Sequence, residues 1–255
     1  MSGLGFVHRR PSVNNSNAAF AELIMIDAKF LSLVAQRRWD LYGPIHKGLR
    51  LGHAQLIVRL GAADPLADQK PLLGDLLAHL SIASGHLDHE DSFIHPALED
   101  VIPGATQDLV GHHRSHRDEL DRLRTLVEGL QTAPRETRPA AWRELYLLFC
   151  AFVAADLEHM AHEEAVVWPQ LCARYSDEEL AELEMRIVGS LSPGETIAVM
   201  RIMLPAMAPE ERIGLLSGMK AGAPPEAYQA VIVQAAKPTL ATADFAELER
   251  LGLAA

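Results

Sequence analysis

His86-Leu87-Asp88-His89-Glu90-Asp91-Ser92-Phe93-Ile94-His95-Pro96 and His159-Met160-Ala161-His162-Glu163-Glu164-Ala165-Val166-Val167-Trp168-Pro169 are two versions of one phrase. Each has a histidine, a second histidine three residues on, a glutamate four on, another acid beside it and a proline ten on. On a helix, positions i and i+4 share a face, so an imidazole and a carboxylate can reach one ion. A single His-x-x-x-Glu is more often a solvated pair. Two copies agreeing at five positions point instead to two helices that each supply half of a two-metal centre.

The surrounding chain supplies two more helices. Apolar spacing predicts helices over 44–60, 71–98, 106–130 and 140–174, separated by Gly61 to Pro65, Pro103-Gly104 and Ala133 to Pro139. The first has a seam of His46, Leu49, His53, Leu56 and Leu60. The third has His112 or His113, then His116, Leu120, Leu123 and Val127. Pro96 and Pro169 fall late in the second and fourth helices and predict a kink or an end there. Short connections make this an antiparallel up-down-up-down four-helix bundle. Counting from each break at ~1.5 Å per residue brings all four histidine-bearing segments to within roughly two turns of one level. Residues 1–17 read as a disordered tail and 18–38 as an additional N-terminal helix, so the bundle domain spans 18–175. Beyond it, 176–255 reads as a C-terminal helical region of short pieces (177–189, 193–205, 209–218, 224–236, 243–251) with no histidine. Its methionines, Met200, Met203, Met207 and Met219, read as core filling rather than as a soft binding groove.

Composition agrees with an all-α fold: 49% of residues are hydrophobic, yet only 5% are aromatic. The net charge of −11 argues against nucleic acid and anionic membrane as partners. No segment reaches eighteen unbroken apolar residues, and the polar, Asn-rich N-terminus lacks the apolar stretch of a signal peptide. Two cysteines, Cys150 and Cys172, make no metal-binding or redox pattern and favour a reducing compartment. The expectation is a cytoplasmic protein.

The donors are His46, His86, Glu90, His112, His116, His159 and Glu163, five imidazoles and two carboxylates. Imidazole suits iron, zinc, copper and nickel, and two shared carboxylates suit a bridged pair. A structural zinc site would want four ligands, usually thiolates, and the glutamate-rich balance of ferritin-like di-iron sites is absent. In these residues the chain resembles the hemerythrin-like, or hemerythrin HHE cation-binding, family. Ile45 to Arg50 is similar to its first-helix motif, the two repeated phrases to its second and fourth, and His112-x-x-x-His116 to its third. The resemblance covers about residues 40–172. It implies two non-haem iron ions, glutamate bridges and an open position for O2. Carried over, it implies His112, His116 and His159 on one iron, His46 and His86 on the other, and Glu90 and Glu163 as bridges. His113 stays open as the alternative to His112. The oxygen-transporting members place Asp five residues after the fourth-helix histidine; here Glu163 sits at four and Glu164 at five, so reversible O2 transport does not follow.

Of the remaining histidines, His53 and His79 read as core histidines or as partners of a ligand. His89 and His162 read as interface residues, and His8 and His95 as surface. Tyr42, one turn before His46, is read as half-buried, with a role toward a bound oxygen species as the sharper alternative. The expected function is binding of O2 or a peroxide-type small molecule for storage, sensing or detoxification. The alternative is a di-iron oxidoreductase that dismutates peroxide or activates O2. Binding is favoured because Glu90 and Glu163 are committed as ligands, and Asp156 is the one further acid near the seams. A homodimer or protein partner through the C-terminal helices stays open.

Overall fold

The computed structural model describes residues 28–254. The predicted tail, residues 18–27 of the predicted N-terminal helix and His8 lie outside the described residues. Among the described residues the protein is all-α, with no strand. Helix α1 (Ala28–Ala35) leads to α2 (Gly43–Ala62), α3 (Lys70–His89) and α4 (His95–Val101). Helices α5 (Gln107–Thr132), α6 (Arg138–His162) and α7 (Trp168–Cys172) follow. The C-terminal region holds α8 (Asp177–Ser190), α9 (Pro193–Ala206), α10 (Pro209–Gly222), α11 (Pro225–Val231), α12 (Lys237–Thr239) and α13 (Thr242–Arg250).

Helices α2, α3, α5 and α6 close a ring in which α2 touches α3 and α6, and α5 touches the same two. Two apolar clusters reveal their directions. Leu49, Leu87, Leu120 and Met160 belong to one cluster; Tyr42, Ile94, Leu109 and Val167 belong to the other. Along α2 and α5 the chain passes from the second cluster to the first, and along α3 and α6 it returns. The four strongest helices therefore alternate up and down. On every one of them the polar phrase lies between the two clusters, so the bundle carries a polar layer sealed by apolar packing on both sides.

The prolines of the repeated phrase neither end nor break their helices. Each sits six residues after the start of a π-turn, Glu90–Ile94 between α3 and α4 and Glu163–Val167 between α6 and α7. A proline lacks an N–H and its ring collides with the carbonyl four residues back. The wider turn removes that collision: the N–H groups of His95 and Trp168 donate to the carbonyls of Glu90 and Glu163, five residues back. A third π-turn, Ile232–Ala236, precedes Pro238 at the same spacing. The prediction of a stop is thus corrected, since helix continues on both sides of a widened turn.

The first two C-terminal helices, α8 and α9, start from serine capping boxes, Ser176 with Glu179 and Ser192 with Glu195. The C-terminal region packs a third apolar cluster that includes Met200, Leu204, Leu216, Tyr228 and Ile232, and Met203 and Met207 are buried beside it, as core filling requires. Helix α9 lies against α2 at Gly48, where a Cβ would stand 3.1 Å from the Ile202 and Met203 backbone. A side chain there would have to push the neighbouring backbone back by a few tenths of an ångström, so glycine suits that approach. An ion pair between Lys47 and Glu211 adds a second link.

Candidate metal centre

The polar layer gathers six side chains into two overlapping groups. His46, His86, Glu90 and Glu163 form one; His113, His159, Glu90 and Glu163 form the other. Within each group the donor atoms lie within 4.8 Å of one another. Glu90 Oε1 is 3.1 Å from His86 Nε2, while its Oε2 is 3.4 Å from His113 Nε2. Glu163 Oε2 is 3.4 Å from His46 Nε2, while its Oε1 is 3.3 Å from His159 Nε2. Each glutamate thus offers one oxygen to each group. Both are essentially sealed from solvent, at 1% and 0% exposure.

The two groups are built alike. In the first, His46 Nε2 faces His86 Nε2 at 3.1 Å, and Glu164 accepts from His46 Nδ1 at 2.8 Å. In the second, His113 Nε2 faces His159 Nε2 at 3.0 Å, and Asp91 accepts from His113 Nδ1 at 2.8 Å. The acid that follows each shared glutamate therefore orients a histidine on a different helix. An arginine one turn beyond that histidine holds the acid in turn: Arg50 to Glu164 at 2.6 Å and Arg117 to Asp91 at 2.7 Å. With Nδ1 paired to an outer carboxylate, His46 and His113 turn Nε2 inward, where a cation can replace the proton that the carboxylates favour on His46.

Charge in the layer is frustrated without a cation. Burial, then the neighbouring Glu163, holds the Glu90 carboxyl well above its usual range. Burial raises Glu163 as well. Burial, reinforced by His113 and His116, lowers His159 to about 2, and burial, reinforced by His95, lowers His113 to about 4. Burial, reinforced by His46, drives His86 well down. His46 moves the other way: burial opposes its charged form, but Glu163, Glu164 and Glu90 outweigh it. All four oxygens of Glu90 and Glu163 are buried and make no hydrogen bond, despite imidazole nitrogens at 3.1 to 3.4 Å. Orphaned carboxylate oxygens facing inward imidazoles are costly alone and fit divalent cations.

Two predicted ligands stand outside both groups. His112 is exposed, with its ring 5.7 Å from that of His159. The inward stripe of α5 is Leu109, His113, His116, Leu120, Leu123 and Val127, a 4-3-4-3-4 spacing that carries His113 and turns His112 about 100° away. His116 is on that stripe and buried, but about one turn further along. Its ring lies behind His159 at 5.1 Å and against Phe152 at 5.9 Å. The two groups thus bring together His46, His86 and His159 of the predicted histidines, with His113 in the place of His112 and without His116. The missed signal is the spacing His46-x-x-x-Arg50, which recurs as His113-x-x-x-Arg117.

Three other histidines and Tyr42 differ from expectation or refine it. His95 is buried rather than on the surface, and Tyr42 is wholly rather than half buried. The Tyr42 hydroxyl makes no hydrogen bond, and its ring is 5.2 Å from His46. His53 bridges Asp156 (2.8 Å) and His79 (2.9 Å), a satisfied buried chain that begins one turn before His159.

Residues 104–186, about a third of the chain, match the family model described as the hemerythrin HHE cation binding domain. That stretch contains the second group's histidines, His113 and His159, and Glu163. The first group's His46 and His86, with Glu90, lie outside it and come from α2, α3 and the turn that follows. No curated protein and no solved structure matches the chain.

Proposed function

We propose, for a chain that carries a hemerythrin HHE cation-binding domain, that the polar layer holds two iron ions and binds O2 or a peroxide-type small molecule there. His46 and His86 would hold one ion, His113 and His159 the other, and Glu90 and Glu163 would bridge them. The observation that carries this reading is the set of four buried carboxylate oxygens without hydrogen bonds, shared between two pairs of inward imidazoles. Iron held in this way supplies electron exchange with dioxygen or peroxide. The chain's own contribution is to seal the layer between apolar clusters and to fix the imidazole tautomers through Glu164 and Asp91. Tyr42 adds a buried hydroxyl; burial, then Glu163 and Glu90, raises it well above the usual phenol range. It stays protonated and is available as a hydrogen-bond donor beside His46.

The test is to reduce the full-length iron-loaded protein, add O2, and follow the optical spectrum. A change that reverses when O2 is removed supports binding. A second reading, turnover of peroxide, has one observation in its favour: the buried Asp156–His53–His79 chain, which could deliver protons toward His159. Sustained O2 release from peroxide, reduced at least tenfold by Asp156→Asn with iron retained, would replace the binding reading with this one.

A further inference from the structure

Outside the shared layer, Asp91, His95 and the far nitrogen of His113 converge on one point. Asp91 Oδ1 lies 2.8 Å from His113 Nδ1 and 2.9 Å from His95 Nδ1, and the three donors fall within 4.8 Å of one another. His95 is only 5% exposed, yet neither of its ring nitrogens makes a hydrogen bond, so its approach to Asp91 is close without being aligned as one. A buried imidazole with both nitrogens unused is costly unless something binds it. Its ring lies nearly parallel to that of His113, 4.6 Å away. Arg117 occupies Asp91 Oδ2 and is itself held by Asp88 at 2.8 Å, which leaves Oδ1 to the imidazoles. Asp91 and His95 line an open cavity of about 570 Å³, together with Glu99, Arg114, Arg117 and Asp118.

The internal symmetry of the layer isolates this feature. The counterpart of His95 in the second phrase is Trp168, which is buried and donates its indole N–H to the Trp39 carbonyl. Among the described residues, the counterpart cluster around Glu164 and His46 therefore has no third donor. Packing alone is met by tryptophan on that side; on this side an imidazole with idle nitrogens stands at a solvent cavity.

We infer that Asp91, His95 and His113 Nδ1 form a third, outer site for a borderline divalent cation such as Zn2+, open to the cavity and sharing the His113 ring with the inner layer. Two imidazoles and one carboxylate suit zinc-like ions rather than magnesium or calcium, and the cavity side leaves room for water as a fourth ligand. Binding displaces the His113 Nδ1 proton, which leaves to solvent. The site stands at the cavity end of a ring whose other nitrogen faces the inner layer, so it is placed to receive an ion from solvent before the inner layer does.

The experiment is a calorimetric Zn2+ titration of the full-length chain after chelator stripping. Wild type is expected to take up three ions, the third lost in His95→Gln and His95→Phe while two remain. The phenylalanine variant keeps the packing and serves if the glutamine variant unfolds. Glu90→Gln separates this inference from the two-ion reading: it is expected to lose the inner ions and keep the outer one. Uptake of two ions by wild type, or of three by the folded His95 variants, overturns the outer site. One ion in wild type and none in the His95 variants would support the outer site and sink the two-ion reading.

Discussion

The acid that follows each shared glutamate decides what its partner histidine can do. Asp91 and Glu164 take the Nδ1 protons of His113 and His46, and Arg117 and Arg50 hold the acids in place. Such an outer carboxylate typically supports metal affinity by about 10- to 100-fold. Glu164→Gln is therefore expected to weaken the first-group ion by about that factor, read by competition with a chromophoric chelator, with the helical content unchanged. His112 and His113 provide a sharper contrast. His113→Ala should lose bound cation, whereas His112→Ala, altering an exposed ring, should keep the full content by elemental analysis. Adjacent histidines were hard to separate in the sequence because His112 is four residues from His116, the expected pair spacing. The deciding information lay in Arg117, four residues beyond His113, whose purpose becomes visible only when Asp91 is seen between them.

Helix geometry explains which parts of the fold were legible. The seams of α2, α5 and α6 follow a 3.6-residue period over many turns, so those helices and the breaks between them are readable from spacing. The C-terminal helices were readable as short pieces set off by prolines and other breakers. The π-turns were not, because a proline late in a helical pattern is compatible with a kink, a stop or a widened turn. Their placement has a consequence: both shared glutamates open a π-turn, so each phrase changes its winding where it supplies the bridge. Close approach of helices is just as specific. A Cβ at Gly52 on α2 would collide with the His79 ring of α3, 2.6 Å from Nδ1. Gly52→Ala should destabilise the protein by about 1–3 kcal/mol, as overpacking does, measured by urea denaturation. The same change should push His79 away from His53. A variant as stable as wild type would show that the α2–α3 contact has slack.

At the scale of the whole molecule, a charged layer lies between two apolar clusters, and the ligand-free bundle pays for it. His79, His113 and His159 are lowered to about 3, about 4 and about 2, in each case first by burial. Each stays neutral when folded but takes a proton near pH 6.5 when unfolded. Their stabilisation is present above that pH and is lost as pH falls toward their folded values. Glu90 and His46 oppose this, since their raised values favour the folded state at low pH and lose that advantage as pH rises. His86 is lowered as well and Glu163 raised, while His46 is charged in both states below pH 6.5; four histidines set against two carboxyls should make the melting temperature of the chelator-treated protein fall between pH 6.5 and 4. Added divalent cation should raise it most near neutral pH, where the imidazoles are free to bind. The central claim is that Glu90 and Glu163 hold two ions together, and X-ray absorption on the full-length protein from iron-replete expression, with iron counted per chain, tests it most directly. The account predicts two irons and an iron–iron scattering shell that disappears in Glu90→Gln. One iron per chain, or two with no such shell, would contradict it.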